Sequence, residues 1–126
     1  MNNYLFRVYH DENNSWRSTL EVQCREIPGM SRILAQIVKD HPGERFSGNA
    51  KHLQRKLEEQ ETSIKKITGK IDEQQQKLES VNDAAANTST LETLYQQEAL
   101  RDEVLKFEKS FLDFKQSFHQ YLLTVI

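Results

Sequence analysis

Four histidines, His10, His41, His52 and His119, and one cysteine, Cys24, are the residues of this 126-residue chain best suited to hold a metal or act as a nucleophile. They are scattered. A single thiol excludes a metal centre built on a cysteine pair, and it excludes an internal disulfide. His52 and His119 approach each other only if the chain folds back on itself. No carboxylate or cysteine is fixed by spacing beside them, so they read as solvated surface histidines. Cys24 alternates with Leu20 and Val22, the pattern of a buried inert thiol. The segment PGERFSG (42–48) carries glycines but no lysine after them, and is a linker rather than a phosphate loop. Carboxylates are numerous, yet they fall on solvated helix faces where a paired acid and base do not form. The expectation is no catalytic residue, no cofactor and no metal.

Nucleic acid is the other chemistry to weigh. KHLQRK (51–56) opens a long helical pattern, and Arg45, Lys51, Arg55 and Lys56 make it basic. Glu58, Glu59 and Glu61 interrupt that side, and the net charge is −2, so no global field draws a polyanion. A dimeric nucleic-acid-binding regulator using these four cations stands as the alternative reading.

The elements that position these residues follow from periodicity. YLFRVYH (4–10) and RSTLEVQCREI (17–27) alternate with period two, the pattern of strands. Asparagine-rich DENNS (11–15) between them suits a turn. Pro28-Gly29 ends the second strand, Ser31 is placed to cap a short helix, and Ile33, Leu34, Ile37 and Val38 form its apolar face. Residues 1–46 thus read as a small ββα unit. Past a linker, Asn49 is placed to cap a helix over about 50–82. Its apolar residues Ala50, Leu53, Leu57, Ile64, Ile67, Ile71, Leu78 and Val81 recur at steps of three and four, with Gln60 and Gln74 in the missing places. NDAAANTST (82–90) breaks the pattern. A last helix over about 90–125 carries Leu100, Val104, Phe107, Phe111, Phe114, Phe118, Tyr121 and Val125 on the same repeat. The expected fold is α+β: an N-terminal β-hairpin with a short helix, then an antiparallel two-helix coiled-coil hairpin over residues 47–126.

The last helix has a second apolar row that the hairpin seam does not use: Leu91, Leu94, Leu105, Leu112, Leu122 and Ile126. Together with Trp16, Leu91, Leu94, Leu105 and Leu112 are the candidate partner or self-association residues. The expected function is a non-enzymatic interaction module (scaffold, adaptor or steric inhibitor), with another protein as partner and a homodimer as the expected assembly. No apolar run is long enough to cross a membrane. One free cysteine and no leader-like start point to a cytoplasmic setting.

Overall fold

The computed structural model describes residues 2–83 and 89–125, and every element in them is helical. Helix α1 spans Asn3–Asp40, α2 spans Glu44–Asp83 and α3 spans Ser89–Val125. The α+β expectation is therefore overturned. The expected strands over 4–10 and 17–27 and the short helix after Pro28-Gly29 are one continuous helix of 38 residues. Asn2 caps it, its side-chain oxygen accepting from the amides of Tyr4 at 2.7 Å and Leu5 at 3.4 Å. Ser31 is not a cap. It sits mid-helix, and its hydroxyl accepts from Gln54 of α2 at 2.6 Å.

The reason is a heptad seam hidden by its own polar members. Phe6, Tyr9, Asn13, Trp16, Leu20, Gln23, Ile27, Met30, Leu34 and Ile37 follow at alternating steps of three and four, and all are buried or half-buried. Asn13 and Gln23 occupy seam positions, while Val8 and Val22 lie off the seam and are exposed. Read without the structure, the off-seam valines complete an alternating pattern. Pro28 faces solvent inside the helix. It removes one backbone hydrogen bond but leaves the buried stripe unbroken.

Helix α1 turns back into α2 through residues 41–43, and α2 is antiparallel to α3. Cross-helix bonds run in opposite order along that pair: Gln74 to the Thr93 carbonyl at 3.0 Å, Lys70 to Glu103 at 2.8 Å and Gln60 to Ser110 at 3.1 Å. The expected α2 seam from Ala50 to Ile71 and the α3 seam from Leu100 to Tyr121 are buried in one apolar core with Leu20, Ile27, Met30, Leu34 and Ile37 of α1, and Leu78 and Val81 are buried apart from it. The helical hairpin thus exists as two arms of a three-helix bundle. Helix α2 starts ahead of the expected Asn49 cap. Of the expected break at 82–90, residues 84–88 lie outside the described residues. Tyr121 closes the open end, its buried hydroxyl donating to the Phe46 carbonyl at 2.8 Å.

Two outcomes follow. Pro28→Ala restores a backbone hydrogen bond in mid-helix and raises stability by about 2 kcal/mol in urea unfolding, less what the proline gives by restricting the unfolded chain. In a strand-ending turn the same change would not stabilise. Burial holds the Tyr121 hydroxyl above its ordinary pKa. The unfolded chain therefore loses this proton first, and stability present below about pH 10 falls as pH rises through the folded pKa. Tyr121→Phe removes that alkaline component and costs about 1 kcal/mol at neutral pH, read from urea midpoints across the alkaline range.

Candidate interaction face and the polar layer beneath it

Two features stand out from an otherwise apolar core. The first is a layer of amides, one from each helix. Asn13 and Gln97 are fully buried and Gln75 nearly so. Gln97 Nε2 donates to Asn13 Oδ1 at 2.8 Å, and Asn13 Nδ2 donates to Gln75 Oε1 at 3.1 Å. Gln75 Nε2 continues to His10 Nδ1 at 2.7 Å, and Gln97 Nε2 also reaches Glu12 at 2.9 Å. Glu12 in turn holds Arg101 through two bonds of 2.7 and 2.8 Å. The hydrogen bond to Glu12 is the main reason the Arg101 guanidinium is held above its ordinary pKa, against the opposing effect of burial. Polar side chains at core positions select one register and one set of helix neighbours, at a cost in stability.

The second feature is the surface between α1 and α3. These helices run parallel with α2 behind them. The ion pairs Glu12–Arg101 and Glu26–Lys115, at 2.7 and 2.9 Å, share an offset of 89 residues. Gln23 donates to Glu108 at 2.7 Å between them. The α1 and α3 backbones stay further apart than those of α1–α2 or α2–α3. The resulting groove holds about 580 Å³, with Val22 on one bank, Leu112 on the other and Phe111 among its lining residues.

The exposed large apolar side chains complete this picture. Tyr4, Val8, Val22 and Ile33 are on α1, and Leu91, Tyr95, Leu105, Leu112 and Leu123 are on α3. Among the described residues α2 has none. Of the residues expected to meet a partner, Leu91, Leu105 and Leu112 are 58%, 60% and 56% exposed. Leu94 is half-buried. Trp16 is half-buried and packs on the core. Leu122 also packs partly on the core, and Ile126 lies outside the described residues. Tyr4, Val8, Val22 and Ile33 on α1, and Tyr95 and Leu123 on α3, are the exposed apolar residues that sequence reasoning did not assign to a partner. Once α1 is read as a helix, the off-seam position of those on α1 is the signal that finds them.

The basic residues Arg45, Lys51, Arg55 and Lys56 are all exposed on the first half of α2. Arg55 shares its surroundings with Glu58 and Glu59, and Lys56 lies 3.9 Å from Glu59. Arg45 sits apart, beside Tyr121 and Gln120. Among the described residues, no three histidine, cysteine or carboxylate side chains gather where they could hold a metal, and no helix is long and apolar enough to cross a membrane.

Compared with protein-family models, curated proteins and solved structures, the chain gives no match.

The amide layer makes a sharp prediction. Asn13→Leu strands the buried Gln75 oxygen, leaves Gln97 only its bond to Glu12, and costs about 1–3 kcal/mol. Replacing Asn13, Gln75 and Gln97 together by leucine returns stability to the wild-type level or above it, while loosening the choice of register. Urea unfolding reads the first effect, and broadening of the amide NMR spectrum reads the second.

Proposed function

We propose that this protein is a non-enzymatic interaction module, a scaffold, adaptor or steric inhibitor, that docks a protein partner on the α1/α3 face. The observation that carries the reading is the one-sided distribution of exposed apolar side chains: nine on α1 and α3, and none on α2 among the described residues. A bundle stabilised only for its own sake has no use for leucines at Leu105 and Leu112, which touch solvent while Phe107, Phe111 and Phe114 beside them fill the core. Each such side chain, once covered, contributes about 1.5–3 kcal/mol, so a few of them supply the centre of an interface. The paired charges Glu12–Arg101 and Glu26–Lys115 then sit within the docking surface as already neutralised groups.

The alternative nucleic-acid reading draws less support from the placement of its residues. Arg55 and Lys56 lie among carboxylates, and Arg45 stands apart from them.

The test compares the wild-type chain with Val22→Glu/Leu105→Glu/Leu112→Glu as baits in a quantitative capture from cell extract. All three positions are exposed, so helical circular dichroism and the unfolding midpoint stay within about 0.5 kcal/mol of wild type. Specific partners, or further copies of this chain, are expected on the wild-type bait and reduced at least tenfold on the variant. Equal capture by the two baits removes the α1/α3 face from the reading.

A further inference from the structure

The unpaired charges along the α1/α3 face are sorted by sign except for Asp40, which lies one heptad beyond Ile33 beside Lys39. Asp11 lies on α1 one turn from Val8, and Arg25 and Arg32 follow on the same stripe at heptad spacing. On α3, Glu98 and Asp102 precede Leu105, and Lys109 follows it. All six are exposed. Among the described residues none of the six forms an ion pair, although Glu98 contributes to the field at Arg101. The sign changes between Asp11 and Arg25 on α1, and between Asp102 and Lys109 on α3. These two reversals stand at one level of the bundle, because the helices run parallel with an offset of 85 to 89 residues. The apolar centre of the groove, Val22 with Leu105 and Leu112, lies at or just beyond that level. The face is therefore acidic at one end, apolar in the middle and basic at the other.

We infer that the occupant of this face is a second copy of the same chain, docked antiparallel about a two-fold axis through that level. The inference rests on the proposed docking role of the α1/α3 face and deepens it. A two-fold interface uses one patch twice, so the patch must complement itself. A surface whose charge reverses along its length does so when one copy is turned end for end: acid meets base at both ends, and Leu105 of each copy meets its counterpart at the centre. A parallel copy brings like charges together at both ends. The size also suffices. Helices of 38 and 37 residues are about 55 Å long, and two side by side offer roughly 1,100 Å² per copy, above the ~800 Å² per partner of a standard interface.

The test is light scattering after size exclusion, over a range of concentrations, at low and high salt. The wild-type chain is expected to be a dimer that weakens as salt rises. Asp11→Lys/Asp102→Lys makes both ends basic, and Arg25→Glu/Lys109→Glu makes both ends acidic. Each variant alone keeps its helical circular dichroism and dimerises at least about tenfold more weakly. An equimolar mixture of the two recovers a dimer of one copy each. Orientation is read by oxidation in a Cys24→Ser background. Leu91→Cys and His119→Cys chains cross-link with each other and not with themselves, because the two positions lie two heptads on either side of Leu105 and are roughly 40 Å apart along α3. Self-cross-linking of either chain would show a parallel pair and overturn the inference. So would a wild-type chain that stays monomeric at every concentration, or a dimer indifferent to both charge reversals. A monomer that still loses captured partners on Val22→Glu/Leu105→Glu/Leu112→Glu would sink the second copy and leave the docking role standing. A monomer with equal capture would remove both.

Discussion

The phenylalanines of α3 are the constraint around which the molecule closes. Phe107, Phe111, Phe114 and Phe118 stand on one stripe, pairwise stacked, with ring centroids 5.8 and 6.3 Å apart. Four rings on one helix are a wide apolar surface. The small aliphatics of α2, Ile64, Leu57 and Leu53, cover only one side of it. The remaining side requires a third element at least as long as the stripe. An isolated two-stranded hairpin is marginal in water and would meet the rings with only alternate side chains. A helix of 38 residues reaches from Phe6 to Ile37 and contributes Leu20, Ile27, Met30 and Leu34 to the same core. The continuity of α1 through Pro28-Gly29 keeps its buried stripe unbroken along that shared core. Tertiary packing outweighs the local cost of a proline in mid-helix.

Such a core is slippery by itself. Leucine, isoleucine and phenylalanine at every seam position would allow neighbouring registers of similar energy. The Asn13–Gln75–Gln97 layer removes that freedom, since only one alignment brings the three amides together. The layer is placed away from the ring-rich end, where shape is already specific. It lies toward the Asn2 end of α1 and the connection between α2 and α3, where the α2 and α3 seams thin to Leu78, Val81 and Leu100. Rings fix one end of the bundle and hydrogen bonds fix the other.

The same division explains which parts of the fold were legible in the sequence. Helices α2 and α3 write their heptads in apolar residues with few interruptions, so periodicity finds them. Helix α1 writes the same heptad with Asn13 and Gln23 in the seam, valines outside it and a proline-glycine pair inside it. The polar seam residues and the proline-glycine pair lower the helical signal, and the off-seam valines raise the strand signal. Two of them, Asn13 and Gln23, are the polar contacts to α3 that specify the bundle, and a third, Val22, belongs to the exposed face. The residues that obscured α1 are the ones with work beyond filling the core. The exposed row on α3 was legible because it breaks the amphipathic rule on a helix whose seam was already known. Its counterpart on α1 was hidden because exposed and buried apolar residues there had been assigned to one sheet face.

The asymmetry between the helices carries the final step. In a three-helix bundle each helix has two flanks. On α2 both flanks are used within the chain: Asp72 pairs with Arg17 and Gln54 with Ser31 toward α1, and Lys70 pairs with Glu103 and Gln60 with Ser110 toward α3. The seam between α1 and α3 is also bridged, by Glu12–Arg101, Gln23–Glu108 and Glu26–Lys115, but it stays wide and flanked by valine and leucine. These bridges link the two helices while leaving the apolar banks uncovered. On the proposed docking role, the bridging side chains are already engaged within the chain, so fewer of them are left to order on binding, and a smaller ordering cost leaves more of the apolar area as affinity.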